Sequence, residues 1–349
     1  MIRVSAKRHT LTPAKESDLA AKISDIANRV GVTMTTVSKV LNNKPSGLRI
    51  SAKTRERIFR TARELNYRPS YAARALARGK TNSLGLICGD IHTPFYAELT
   101  SHALHLADRK GYHLIVSVTE WDFAKEVECL DMLLDGRVDG VLMVAGGLQP
   151  GTPQHQYVVE TGFPIVLVDM AIEGISSVST DWLSGMDGAV AHLKGRGHRK
   201  VWMVAYPLPL PLVDPKTIAF CESCERHRME WHIVNGGSDL RTVRQMGRAL
   251  AEEADRPTAV IAYSDYAATG LISGIRDGGL EVPRDIAVVG IDGTEAGAYY
   301  HPALTTIGAG IERLAGEAVD LLFKLVSSDR GASPRSLSLA SSLTIRSSA

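Results

Sequence analysis

Nowhere in its 349 residues does the chain hold an uninterrupted apolar run of about 18 residues, so no helix of bilayer-spanning length is predicted. Its four cysteines are most simply reduced thiols. The opening stretch MIRVSAKRHTLTPAKESD lacks the apolar core of a signal peptide, which predicts a cytoplasmic protein. The closing LTIRSSA carries no heptad tail, so coiled-coil tetramers are not expected. GRGHRK, residues 195–200, is too poor in glycine and misplaced for a dinucleotide site. Within CESCERH, Cys221, Cys224 and His227 stand at i, i+3 and i+6 with no second cysteine pair elsewhere. On a helix i and i+6 point in different directions, so no metal is expected, and no cofactor is implied. His92 and His301 are isolated from any nucleophile and read as loop or pocket residues. A Ser/His/Asp constellation assembled only in space stays open.

What is present is an ordinary composition, 44% hydrophobic and 22% charged, on a chain long enough for two or three domains of roughly 150 residues each. The formal net charge of +2 conceals an asymmetry. Residues 1–80 hold 18 Lys and Arg against 5 Asp and Glu, about +13; residues 81–349 hold 22 against 33, about −11. A basic head on an acidic body points to a polyanionic partner for the head alone. The competing reading is a merely solvated charged face, and the motif inside the basic region argues against it.

Residues 1–20 read as a flexible basic tail. In KISDIANRV, residues 22–30, Ile23, Ile26, Ala27 and Val30 recur at helical spacing. Gly31 breaks that helix and Thr33 can cap the next, since its hydroxyl accepts a free backbone N–H. The second helix, Met34 to about Asn42, turns Val37, Val40 and Leu41 inward and leaves Met34, Thr35, Ser38 and Lys39 outward. A third begins after Ser51 and runs through KTRERIFRTARELNY with Ile58, Ala62 and Leu65 inward. Helix, tight turn and helix, followed by a third helix over 21–68, is the layout of a helix-turn-helix, whose second helix docks in the DNA major groove. Pro69 ends it. The following SYAARALARG, within 69–80, is a short run of good helix formers, marginal alone in water because nucleation is costly. It reads either as a plain linker or as a hinge helix that folds only on DNA.

From residue 83 the text alternates strands (SLGLIC, YHLIVSV, DGVLMV, PIVLVD, KVWMVA, AVIAY, IAVVGID) with helical stretches. That rhythm predicts an α/β fold of doubly wound parallel sheets. Residues 81–349 are too many for one such sheet, so two lobes are expected. Ligands of such folds sit at the carboxyl ends of the strands.

The strings ISDIANRVGVTMTTVSKVLN, ISAKTRERIFRTARELNYRPS and AARALARGKTNSLGLI closely resemble the head of the lactose/galactose repressor (LacI/GalR) family. The body resembles the same family over essentially its full length, most strongly in RDIAVVGIDGTEAGAYYHPALTTI. The resemblance implies a homodimeric, ligand-responsive regulator of transcription, most simply a repressor, bound to a pseudo-palindromic operator in double-stranded DNA. Met34, Thr35 and Lys39 would read bases. Lys39 can donate to guanine O6 and N7, and Met34 can pack on a thymine methyl. The family more often has Arg where Lys39 stands, and lysine lacks the planar fork. Thr33, Thr36, Ser38 and Asn42 would hold phosphates. Leu76, flanked by Ala73 and Ala77, would wedge into the minor groove. The core would resemble a periplasmic sugar-binding protein, with a first lobe of about 81–172 plus 308–337 and a second of about 173–307 plus 338–349. A small, carbohydrate-like effector would sit between them.

The effector pocket departs from the family pattern. Lys216 replaces the usual Arg and Ala219 the Gly. Ser264-Asp265 stands for Asn-Asp, Asp181-Trp182 for Asp-Asn, and Gly293 for a second Asp after the retained Asp292. Ser238 falls where an aromatic often stacks on the sugar. The losses of Arg and Asn weaken a simple sugar assignment, and Trp182, Tyr206 and Tyr263 offer replacement stacking surfaces. The implied contacts are Asp90 and Phe95 from the first lobe, with Trp182, Tyr206, Lys216, Tyr263, Asp265 and Asp292. Packing between lobes is the competing role for each. Three rivals follow: a regulator whose pocket is vestigial or binds a protein, a transporter's solute-binding protein, and a sugar- or nucleotide-processing enzyme. The basic head argues against the second, and the lack of a phosphate loop or catalytic cluster against the third.

Overall fold

The computed structural model describes residues 21–42, 50–67, 79–144, 146–206, 214–237, 239–328 and 333–349. The expected hinge residues Ala73, Leu76 and Ala77, the basic tail, Ser238 and residues 207–213 lie outside them. The chain forms two compact units, Met1–Thr81 and Asn82–Ala349.

In the first unit the expected helices form as α1 (Ile23–Val30), α2 (Met34–Leu41) and α3 (Ala52–Glu64). Ile26, Ala27, Val30, Val37, Val40, Ile58 and Ala62 make one buried cluster, with Ile23, Leu41 and Leu65 packed at its margin. The α1–α2 turn is tight because Gly31 takes φ +73°, where a side chain is strained. The Ala27 carbonyl then accepts from both Gly31 N and Val32 N. Asp25 accepts from Lys22 N (2.8 Å) at the start of α1. Thr33 accepts from Thr36 N (3.2 Å) at the start of α2, and Ser51 from Thr54 N (3.2 Å) at the start of α3. The Arg57 guanidinium donates to the Val30 carbonyl (3.2 Å), tying α3 to the end of α1. Because α2 has eight residues, one cap matters. Thr33→Ala is expected to cost the head about 1 kcal/mol, read as faster hydrogen exchange of the α2 amides. Unchanged exchange would show that the hydroxyl adds nothing.

The second unit runs β1 (Ser83–Cys88), α4 (Pro94–Arg109), β2 (His113–Val118), α5 (Phe123–Leu134), β3 (Gly140–Val144), α6 (Pro153–Thr161), β4 (Ile165–Val168), β5 (Ser176–Asp181), α7 (Trp182–Gly195), β6 (Lys200–Ala205), α8 (Pro215–His227) and β7 (Glu230–Asn235). It continues with α9 (Leu240–Glu252), β8 (Ala259–Ala262), α10 (Asp265–Asp277), β9 (Ala287–Ile291), a 3-10 turn (Glu295–Tyr299), β10 (Thr305–Gly308), α11 (Ile311–Ser327), β11 (Ser336–Ala340) and β12 (Ser342–Thr344). Two sheets result, ordered β11-β5-β4-β3-β1-β2 and β12-β10-β9-β8-β6-β7. All pairings are parallel except β10 with β12. The central strands β1, β3, β4, β8 and β9 are buried throughout, which is why they read as continuous apolar runs.

The sheets shift the expected lobe boundaries. Strand β5 pairs with β4 in the first sheet, so the first lobe extends to Asp181 rather than 172. Gly308 closes β10 in the second sheet, and β11 carries the first lobe to Ala340 rather than 337. The polar β5 (SSVSTD) gives no apolar signal, yet Ser176 and Ser177 are buried, the Ser176 hydroxyl accepting from Arg335 N and the Ser177 hydroxyl bonding Ser336.

Candidate functional site

Two sites carry the sequence expectations, one in each unit. In the head, packing of Val37 and Val40 against α1 and α3 fixes the outward face of α2. Met34 is 55% exposed; Thr33 and Thr35 are exposed, and Thr36, Ser38 and Lys39 are partly so. A thioether and hydroxyls thus stand at the solvent-facing start of α2, with the Lys39 ammonium in its last turn. Thr33 accepts from Thr36 N, and its hydroxyl lies 3.0 Å from that of Thr36. Asn42, an expected phosphate contact, bonds back onto its own helix. Its Nδ2 donates to the Ser38 carbonyl (2.9 Å) and to the Ser38 hydroxyl (3.3 Å). Its two amide hydrogens therefore close the end of α2.

In the core, residues at the carboxyl ends of strands converge on Lys216, near the start of α8. The Lys216 Nζ donates to Asp292 Oδ1 and to the Tyr263 carbonyl, both 3.2 Å away, and lies 4.7 Å above the Trp182 ring, a favourable cation–π position. Asp292 follows β9 at φ +125°, a strained conformation for a non-glycine residue of the kind found at functional sites. Burial pushes its carboxyl up to about 7 against the pull of Lys216, and Asp265 and Asp169 add to the rise. Burial opposes the Lys216 charge, but Asp292, Asp214 and Asp169 outweigh it and hold the ammonium above the ordinary lysine value. Tyr206 and Tyr263 meet edge-on with centroids 5.3 Å apart. Tyr263 donates to the Gly237 carbonyl (3.2 Å), and burial pushes its pKa up to about 12.

The remaining expected contacts are Asp265, Asp90 and Phe95. Asp265 is fully buried. It accepts from the backbone and hydroxyl of Thr294 (2.7 and 2.8 Å) and from the Thr306 hydroxyl. It therefore ties the turn after β9 to β10 rather than offering a free carboxylate to a ligand. Asp90 accepts from His92 N (2.6 Å) and Thr93 N (3.3 Å), shaping the loop into α4. Phe95 packs against the first-lobe core and edge-on to Tyr96 at 5.1 Å.

Four residues missed by the sequence reading belong here. Tyr96 has Asp292, Asp169 and Tyr206 as electrostatic neighbours, and burial raises its pKa well above the usual tyrosine value. Asp169, after β4 at φ +55°, accepts from Thr180 N (2.9 Å), and burial raises its carboxyl too. Asp214 caps α8 by accepting from Lys216 N (3.1 Å). Trp121 meets Tyr96 edge-on at 5.5 Å. Asp169 ends the apolar run PIVLVD, so the carboxyl-end rule could have found it. Asp214 follows the proline-rich string PLPLPLV, which has no periodicity to read.

The discounted cysteine motif lies along α8. Cys224 is buried, and that burial pushes its thiol up to about 12. His227 Nε2 pairs with Asp187 at 3.1 Å. Among the described residues no helix is long and apolar enough to cross a membrane.

Residues 22–70 match the family model for bacterial regulatory proteins of the lacI family, and residues 190–349 match the model for a periplasmic binding protein-like domain. The chain is 31% identical over 316 residues to catabolite control protein A of Priestia megaterium, covering 88% of this chain and 93% of that protein. It is 30% identical over 315 residues to the HTH-type transcriptional repressor PurR of Aliivibrio salmonicida, covering 88% and 92%. Among solved structures, the lac repressor dimer bound to operator and the anti-inducer ONPF aligns with a TM-score of 0.79 at 26% identity, over 95% of this chain and 99% of that one.

Proposed function

This chain belongs to the lacI family of bacterial regulatory proteins, and we propose that it is a homodimeric repressor that reads a pseudo-palindromic operator with α2 under the control of a ligand held between its core lobes. DNA binding and transcriptional regulation come with the family. The observation that carries the reading of α2 is its exposed face, Met34, Thr35 and Lys39 standing out from a helix anchored by Val37 and Val40. Thr33, Thr36 and Ser38 flank that face and hold phosphates. Ala73, Leu76 and Ala77 enter the minor groove; the support for this is sequence alone.

Dimerisation is supported by two edge strands that leave apolar side chains in solvent. Ile115, Val116 and Val118 on β2, and Trp231 on β7, are each more than a third exposed, and edges of this kind are ordinarily covered. The effector is small and polyhydroxylated: carboxylates accept from hydroxyls, and Trp182, Tyr206 and Tyr263 supply apolar faces for a ring. Its binding changes the lobe angle and, through the hinge, DNA affinity, a coupling of about 1–3 kcal/mol. The protein acts in the cytoplasm, where its operator lies, and carries out no chemistry on the ligand.

The test is selection of bound duplexes from a random pool by the full chain at near-physiological salt. A palindromic consensus is expected. Lys39→Ala should lose about 1–3 kcal/mol of discrimination at one position of each half-site, and Leu76→Ala should weaken binding throughout. Binding that is salt-sensitive but blind to sequence, with or without cell metabolites, would reject the proposal.

A further inference from the structure

The effector pocket holds more carboxylates than cations, and its positive charge is already engaged. Lys216 has three N–H groups. Two are taken by Asp292 Oδ1 and the Tyr263 carbonyl, and the ammonium sits over the Trp182 ring. One N–H remains, on an ammonium whose charge is already shared between Asp292 and the Trp182 ring. Around it stand three carboxylates, Asp292, Asp214 and Asp169, against that single ammonium. The second oxygens of Asp292 and Asp214 accept from no described residue. Asp292 is 9% exposed, so its unused lone pairs are largely shielded from water. Burial is the main reason Asp292 and Asp169 are pushed above the ordinary carboxylate range despite Lys216, and the neighbouring carboxylates add to it.

Building on the effector reading above, we propose that the ligand carries a protonated amine. An ammonium group supplies a second positive charge and donors for the unused oxygens of Asp292 and Asp214. Asp292 and Asp214 would receive it, with the Tyr206–Tyr263 pair and Tyr96 offering ring faces to the cation or to the carbon body beside it. The same excess of carboxylate repels phosphorylated or carboxylated ligands, so a sugar phosphate or sugar acid is refused. Replacement of a planar guanidinium by Lys216 fits this. Arginine would present a fork of donors to hydroxyls, whereas this lysine folds its charge into the pocket wall.

The experiment is a thermal-shift and calorimetric screen of the full chain, in an amine-free buffer, with matched sets of hexosamines, hexoses, hexuronates and hexosamine phosphates plus small polyol amines and their uncharged isosteres. Binding is expected among the amines, and a neutral counterpart should bind at least about tenfold more weakly, the equivalent of about 1.4 kcal/mol. Asp292→Asn and Asp214→Asn should each cut amine affinity at least about tenfold, which is the scale of losing one charged partner, and should barely alter a neutral control. Retained binding to the selected operator certifies that each variant folds. Preferential binding of hexoses, or of any anion, would overturn the amine proposal while leaving the effector pocket intact. No binding by any set would remove the effector reading itself, and the amine proposal with it.

Discussion

Gly274→Ala is expected to destabilise the second lobe by about 3 kcal/mol. Helices α9 and α10 pack so closely that a Cβ at Gly274 would overlap the Arg244 carbonyl oxygen and lie 2.8 Å from the Arg248 nitrogen. Both obstacles are backbone, so no side chain can rotate away and the helices must separate. Gly247 of α9 faces backbone of α10 in the same way, and Gly270 lies against the Leu240 carbonyl. Separation would also pull apart the Arg244–Asp277 pair that spans the two helices at 2.6 Å. The control is the same substitution at Gly316 of α11, where a Cβ would meet nothing within 4 Å. There alanine is expected to stabilise by about 0.5–1 kcal/mol, because it removes backbone freedom from the unfolded chain. Urea denaturation followed by tryptophan fluorescence reads both, since Trp121 lies in the first lobe with Gly316 and Trp182, Trp202 and Trp231 lie in the second with Gly274. If the two alanines behaved alike, the close approach of α9 to α10 would not be a structural requirement.

Lys216→Met should weaken the core in a pH-dependent manner. Methionine keeps an unbranched apolar stem but deletes the ammonium that faces Asp292, Asp214 and Asp169. In the parent, Asp292 titrates at about 7 when folded, against about 3.9 unfolded. The folded pKa is the higher one, so the folded core holds a proton that the unfolded chain releases. That contribution to stability is fully present below about pH 4 and is lost as pH climbs to about 7. Burial raises Asp265 and Asp169 in the same sense. Without Lys216 the Asp292 carboxyl rises further, so the variant goes on losing stability above pH 7, where the parent's contribution from Asp292 has levelled off. Little difference is expected near pH 6 and a deficit of about 3 kcal/mol near pH 9, the scale of an unpaired buried charge. Urea midpoints at both values decide it. Parallel curves for parent and variant would show that Lys216 and Asp292 are not coupled.

The head was legible almost residue by residue. Its helices are short and amphipathic, so Ile26, Val30, Val37, Val40 and Ile58 announce the core by periodicity, and Gly31, Thr33 and Ser51 mark the helix ends through local hydrogen bonds. The central strands of the body were equally plain, because parallel strands covered on both faces must be apolar along their whole length. Less legible was whatever depends on partners distant in the chain. Strand β5 is polar, and its place rests on pairing with β4 and β11. For that reason the lobe boundary read from the sequence fell short of Asp181.

The pocket divides in the same way. The sequence alone determined that Lys216 and Asp292 stand at family positions and that the second helix presents Met34, Thr35 and Lys39, because both follow from local strings. Only the tertiary structure decided that Asp265 is enclosed by Thr294 and Thr306, that Asn42 turns back on Ser38, and that Asp169 and Asp214 join Lys216. The physical reason is range. Periodicity and caps act over a few residues, whereas the charge state and hydrogen-bond supply of a buried group depend on neighbours brought together from both lobes.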